Sequence, residues 1–221
     1  MQRKSTQALI VLLVLAGCTD SKTPVAGPPT PSPKELPQTA APHTGVDLPQ
    51  IERTLFELSA AEIRRFTAEH PDVTIYGVFL DCAPWNGDVL LHMNSPEKLR
   101  QRVEQAKADH PEQYGNTSPE DLENEWRWEA GDWEYFEING PSFSKQWRPL
   151  GEKIGQAIQD KSLEAEAFMQ MVARVALKLE SADETKGLRR TADFAVWCAD
   201  QDEPLTDAKR RLEKLRKSAS R

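Results

Sequence analysis

Only one stretch of this chain is continuously apolar, Ala8 to Gly17, and it closes on Leu15-Ala16-Gly17-Cys18. Behind it no aromatic residue appears until Phe56, and from there apolar positions return with the periods of secondary structure. Leu55, Leu58, Ile63 and Phe66 recur among charges and stop at Pro71, which predicts a helix over Leu55 to His70. Val73 to Leu80 is dense in β-formers on both faces and predicts an interior strand. Asn86-Gly87 is a turn signal, and Asp88 to Met93 follows as a second strand, completing a hairpin. Ser95-Pro96-Glu97 and Ser118-Pro119-Glu120 each read as an N-cap with proline at the first helical position. The first opens a helix carrying Leu99, Val103 and Ala106 that ends near His110-Pro111. Trp147, Leu150, Ile154 and Ile158, then Phe168, Val172, Val175 and Leu179, step by three and four residues as two amphipathic helices do. Phe194 to Cys198 predicts a third strand, and Leu205, Ala208, Leu212 and Leu215 a closing helix. This order predicts an α+β fold: a small mixed sheet of three or more strands, packed by several amphipathic helices, in one globular domain over residues 51–217.

The apolar run itself follows Arg3 and Lys4 and ends in the small pair Ala16-Gly17, the plan of a secretory signal peptide. As a helix its core rises only about 15 Å, half of a ~30 Å hydrocarbon layer, so it is too short to span. Leu15-Ala16-Gly17-Cys18 resembles the lipobox of bacterial lipoproteins. The resemblance implies that residues 1–17 are removed and that Cys18 is acylated, palmitate included, making the membrane a partner of the chain. Several acyl chains on one cysteine anchor stably where a single chain binds only marginally. Thr19, and not an aspartate, follows Cys18, which by the same resemblance implies the cell envelope, at the outer membrane facing the periplasm.

Between Thr19 and Pro49 lie Pro24, Pro28, Pro29, Pro31, Pro33, Pro37, Pro42 and Pro49, half of the chain's sixteen prolines. Such a composition does not bury enough apolar surface to offset its ordering entropy. Residues 18–50 are therefore expected to form a Pro-rich tether, able to reach on the order of 90 Å at ~3.1 Å per residue. Loss of Arg3 and Lys4 with the leader deepens the net charge from −7 to −9. An acidic body has no electrostatic footprint for phosphate backbones, which argues against nucleic acid as a partner.

Chemistry-bearing motifs are sparse. The chain has no His-Glu-x-x-His, no phosphate loop and no dinucleotide fingerprint. Gly140-Pro141-Ser142-Phe143-Ser144 lacks the second glycine of a nucleophile elbow. No cofactor is expected, and an enzyme is disfavoured. The stretch Glu125 to Phe136 holds three of the six tryptophans. Spacings of two place Trp126 with Trp128, and Trp133 with Tyr135, on common strand faces. They form either a recognition surface, since tryptophan and tyrosine dominate hot spots, or core packing. Cys82 and Cys198 each stand near the end of an apolar strand. If those strands are parallel neighbours, the two form a disulfide in an oxidising compartment or remain two buried thiols. Asp81, Asp200 and Asp202 are weak candidates for a hard-metal or acid/base site at the same sheet edge, against the commoner solvated loop. The basic run Lys209 to Lys217 fits a solvated helix end complementing the helix dipole, with contact to anionic lipid or an acidic partner as the alternative.

Three pieces in this order carry a further resemblance: Phe79-Leu80-Asp81; Trp128 with Gly131-Asp132-Trp133-Glu134-Tyr135; and Phe194-Ala195-Val196-Trp197 with Asp200-Gln201-Asp202. Together they resemble the bacterial family catalogued as domain of unknown function 4303, over Ile51 to Lys217. The resemblance implies one domain and no established activity. The sequence thus leads to a lipid-anchored envelope protein that binds a protein partner without catalysis, an immunity protein against a periplasmic toxin being the specific version. An envelope hydrolase or metal-dependent enzyme using the strand-end aspartates, and a structural adaptor for envelope assembly, are the alternatives.

Overall fold

The first helix begins earlier than the apolar spacing predicts. In the computed structural model, which describes residues 45–129, 133–135 and 138–219, α1 runs Leu48–Glu69. Asp47 caps it by accepting a hydrogen bond from the Gln50 amide at 3.1 Å, and Pro49 stands in its first turn. The proline that reads as tether is here a helix starter, because its missing N–H is one of the first-turn donors that have no intrahelical partner anyway. The expected leader, Cys18 and the expected tether up to residue 44 lie outside the described residues, as do Gly131, Asp132 and Phe136.

Strand β1, Thr74–Ala83, is central, with β2, Asp88–Asn94, antiparallel on one side and β3, Arg189–Asp200, parallel on the other. The hairpin and the interior position of β1 are as the sequence predicts. Phe79 stands opposite His92 on β2 and Trp197 on β3. The strand alternates between two cores. Val78, Leu80 and Cys82, with Val196 and Cys198, face the larger one. Phe79 and Ala199 face a smaller one with Tyr76, Leu99, Trp133 and Ala208. A register shift between Ile75 and Gly77 lets Tyr76 join Phe79 on the second face.

Helices cover both faces, so β1 has no solvent side and reads as a nearly unbroken apolar run. On the larger core lie α1, α5 (Pro141–Gln159) and α6 (Ala165–Ser181), with α6 against β1 and β3 and α5 against β2. On the other face lies α2 (Pro96–Asp109), capped by Ser95, whose hydroxyl accepts from the Lys98 amide at 3.1 Å. Against it packs α4 (Pro119–Trp126), capped in the same way by Ser118. The last helix, α8 (Leu205–Ala219), rests on β3 and α6. Two one-turn helices, α3 (Pro111–Tyr114) and α7 (Asp183–Lys186), have no counterpart in the apolar periodicity, being too short to show one. Among the described residues no helix is long and apolar enough to cross a membrane.

The outer edge of β2 is closed by a short extended segment. Met93 and Tyr135 exchange both backbone hydrogen bonds, at 3.0 and 3.2 Å, and the Ile138 amide donates to Leu91 O at 2.9 Å. Asn139 finishes the seal with its side chain: Oδ1 accepts from the Leu91 amide at 2.6 Å and Nδ2 donates to Val89 O at 3.2 Å. An edge strand left open is a template for pairing with another chain, and this one is covered. Between α1 and α6 the nearly buried Glu52 accepts hydrogen bonds from Arg174, at 2.7 Å, and Lys178, at 2.6 Å.

Candidate functional site

The tight turn between β1 and β2 is Ala83-Pro84-Trp85-Asn86-Gly87, held by Asn86 N–H to Ala83 O at 3.0 Å and Gly87 N–H to Pro84 O at 3.1 Å. Gly87 has φ +69°, the left-handed region glycine occupies without a Cβ penalty. The turn lies directly on α5. A Cβ on Gly151 would stand 2.7 Å from Gly87 O, and one on Gly155 2.8 Å from the Asn86 carbonyl carbon, so two glycines on one face of α5 make the contact. Trp147 Nε1 donates to Gly87 O at 3.0 Å, and Gln159 Nε2 donates to Trp85 O at 2.9 Å.

On this clamped turn stands Trp85, 61% exposed, the only exposed large hydrophobic side chain among the described residues. It forms one wall of an open groove of about 470 Å³, with Asp88 on the same side and the α5 ridge of Arg148, Glu152, Gln156 and Gln159 on the other. Trp85 was not among the residues expected to bind. The signal was present: a tryptophan next to an Asn-Gly turn, between two strands buried on both faces, has no core position within reach.

The aromatic stretch of mid-chain is placed differently from the expected strand faces. Trp126 is the last residue of α4, because the Ser118 cap carries the helix that far. Its ring meets Tyr114 edge-on at 5.2 Å and lies under the Arg102 guanidinium. Trp128 is half-buried between Tyr76, at 5.5 Å, and Trp197, at 5.4 Å. Trp133 is 3% exposed, edge-on to Tyr76 and Phe79. Tyr135 turns to the other core and meets Phe66 at 4.9 Å. The four residues therefore divide between two cores and share no single surface. Burial pushes the Tyr76 hydroxyl up to about 12; it donates to Arg127 O at 2.7 Å and accepts from Asn94 Nδ2 at 3.0 Å.

The strand ends hold a second, smaller cavity of about 240 Å³, lined by Phe79, Asp81, Trp128, Asp200, Gln201 and Glu203 among others. The parallel pairing of β1 and β3 brings Asp81 and Asp200 to it, as the sequence anticipates for that topology. Below it, His92 Nε2 lies 3.5 Å from Asp81 Oδ2, with the imidazole wholly buried. Asp202 does not line this cavity. Its amide donates to Asp200 Oδ1 at 3.2 Å, so these two residues shape the turn into α8. Glu203 is committed to an ion pair with Arg211. Among the described residues no group of three or more histidine, cysteine, aspartate or glutamate side chains is placed to hold a metal ion.

Cys82 and Cys198 are free and fully buried. The strands are parallel neighbours, but Cys198 stands opposite Leu80 and Cys82 opposite Asp200, a stagger of two residues. With neighbouring strands ~4.8 Å apart and a rise of ~3.3 Å per residue, that stagger separates the Cα atoms by ~8 Å, beyond disulfide reach without backbone movement. Of the two alternatives, the buried thiols are the one present. Burial raises the pKa of both, Cys198 to about 12, and holds them as inert thiols.

The geometry is that of a small α+β domain with both sheet faces closed and one tryptophan left outside. Residues 55–215 match the family model described as Domain of unknown function (DUF4303), and the chain belongs to that family. No curated protein and no solved structure matches it. Five of the residues that carried the resemblance meet in space: Phe79, Asp81, Trp128, Asp200 and Gln201 line the strand-end cavity.

Proposed function

We propose that this chain is a non-enzymatic binding module of the cell envelope, anchored through lipidated Cys18 at the outer membrane and held on its Pro-rich tether facing the periplasm. The observation that carries the binding reading is Trp85, exposed on a turn clamped to α5. Ordering a side chain at an interface costs ~0.5–1.5 kcal/mol, and a tryptophan on a fixed turn carries less of that cost than one on a mobile loop. The anchor follows from the Leu15-Ala16-Gly17-Cys18 motif. Two experiments test the parts separately. Palmitate labelling is expected in wild type and absent in Cys18→Ala, and equal labelling refutes the anchor. Capture from detergent-solubilised envelopes is expected to yield a component lost in Trp85→Ala, and identical profiles refute the face.

One observation favours a second reading, an enzyme at the strand ends: the buried His92 beside Asp81, under a cavity that Asp200 also lines. It predicts a hydrolytic activity that disappears in Asp81→Asn while the fold persists.

A further inference from the structure

The Trp85 groove has a lining that distinguishes among ligand classes. Its apolar part is one indole. Its polar part is planar and unspent: among the described residues, the side chains of Asp88, Arg148 and Glu152 enter no hydrogen bond or ion pair within the chain. Arg148 and Glu152 are one helical turn apart and still do not pair. Gln156 Nε2 donates to Asp160 and Gln159 Nε2 to Trp85 O, and among the described residues neither amide oxygen accepts a hydrogen bond.

A protein partner needs more apolar surface than this. Stable protein interfaces bury ~1,200–2,000 Å² around a desolvated apolar core, and beyond Trp85 the described surface exposes no large hydrophobic side chain. A polyanion is disfavoured, since the single arginine faces two carboxylates. A pyranose fits. Its ring presents a face of C–H groups, which stack on the electron-rich face of an indole. Its rim presents neighbouring hydroxyls, each donor and acceptor, which pair with carboxylate, carboxamide and guanidinium planes in the two-pronged way those groups favour. The groove is open at the surface, which leaves room for a chain lying across it.

We infer that the groove between the β1–β2 turn and α5 is a saccharide site, taking a pyranose chain stacked on Trp85 with its hydroxyls held by Asp88, Arg148 and Glu152. The inference rests on the reading of the Trp85 face as the binding face, and narrows its ligand to a glycan.

The test uses the full-length protein in detergent micelles against an array of hexose and N-acetylhexosamine oligomers, followed by calorimetry on the best binder. Saturable binding is expected, weakened at least tenfold in Trp85→Ala and in Glu152→Ala, partly retained in Trp85→Phe, and unchanged in Trp126→Ala on the opposite face. No binding anywhere on the array overturns the saccharide, as does binding that Trp85→Ala leaves intact. Envelope capture run alongside separates the two failures. With no glycan bound, a protein lost with Trp85→Ala leaves the face standing and overturns only the saccharide, whereas capture that Trp85→Ala also leaves unaffected overturns both.

Discussion

Gly151→Ala sets two effects of opposite sign against each other. In an exposed helix this exchange stabilises by about 1 kcal/mol, because alanine loses less backbone freedom on folding. Here the new methyl would stand 2.7 Å from Gly87 O and 3.4 Å from Trp147 Nε1. Both neighbours belong to tightly held groups, a turn backbone and a buried indole, so neither rotates aside. Overpacking of this kind costs ~1–3 kcal/mol. Moving the turn away also stretches the 3.0 Å hydrogen bond from Trp147 to Gly87 O, worth ~1 kcal/mol with its donor buried. The net expectation is destabilisation by about 2 kcal/mol. Urea unfolding followed by far-UV circular dichroism reads it as a lower midpoint at unchanged slope. The same variant is expected to weaken ligand binding at Trp85 through the displaced turn. A Gly151→Ala protein more stable than wild type refutes the seating of the turn on α5, since the propensity term alone would then have acted.

Three further outcomes follow from the packing. Burial raises the pKa of Glu52, but the hydrogen bonds from Lys178 and Arg174 outweigh it and leave the carboxyl below the usual glutamate range. A depressed pKa contributes stability above the unfolded value and loses it as pH falls through the folded one. Glu52→Gln should therefore cost about 2 kcal/mol at pH 7, with the gap closing below about pH 4; a gap independent of pH refutes the ionic account. Asn139→Ala removes both side-chain hydrogen bonds that seal the β2 edge and should cost ~1–2 kcal/mol, seen as faster amide exchange at Leu91; unchanged exchange there refutes the seal. Mass spectrometry of the unreduced protein is expected to find Cys82 and Cys198 both unbonded, unreactive to iodoacetamide when native and both alkylated in urea; a Cys82–Cys198 bridge refutes the register.

What local signals govern was readable along the chain. Ser95-Pro96 fixed the start of α2, and Asn86-Gly87 placed the hairpin, because a cap or a turn depends on four residues at most. The density of β-formers in Val73 to Leu80 marked an interior strand, and β1 is central. The failures lie where distant residues decide. Trp126 and Trp128 have strand spacing, yet a cap eight residues before Trp126 keeps it helical. Whether Cys82 meets Cys198 depends on the stagger of two strands, and no local pattern encodes that offset. Pro49 counted as tether because it closes a proline-rich stretch, although Asp47 two places earlier makes it the opening of a helix. Trp85 stands alone in the sequence, whereas the denser aromatic stretch carries the stronger local signal, and the fold uses most of that stretch to fill its smaller core.

The parallel union of β1 with β3 also sets the order in which the chain becomes whole. β1 gains its hairpin neighbour within a few residues, but its other side waits until Gly77 meets Ala195 and Cys82 meets Asp200. Pairings so distant along the chain form slowly. Until then the most apolar strand presents a bare edge, the condition under which folding intermediates associate. A growing chain stalled before Arg189 is thus complete in its first hairpin and in seven of the eight helices found among the described residues, and still unable to close. The C-terminal strand and helix act as a clasp, so a lesion there is felt in the middle of the sheet.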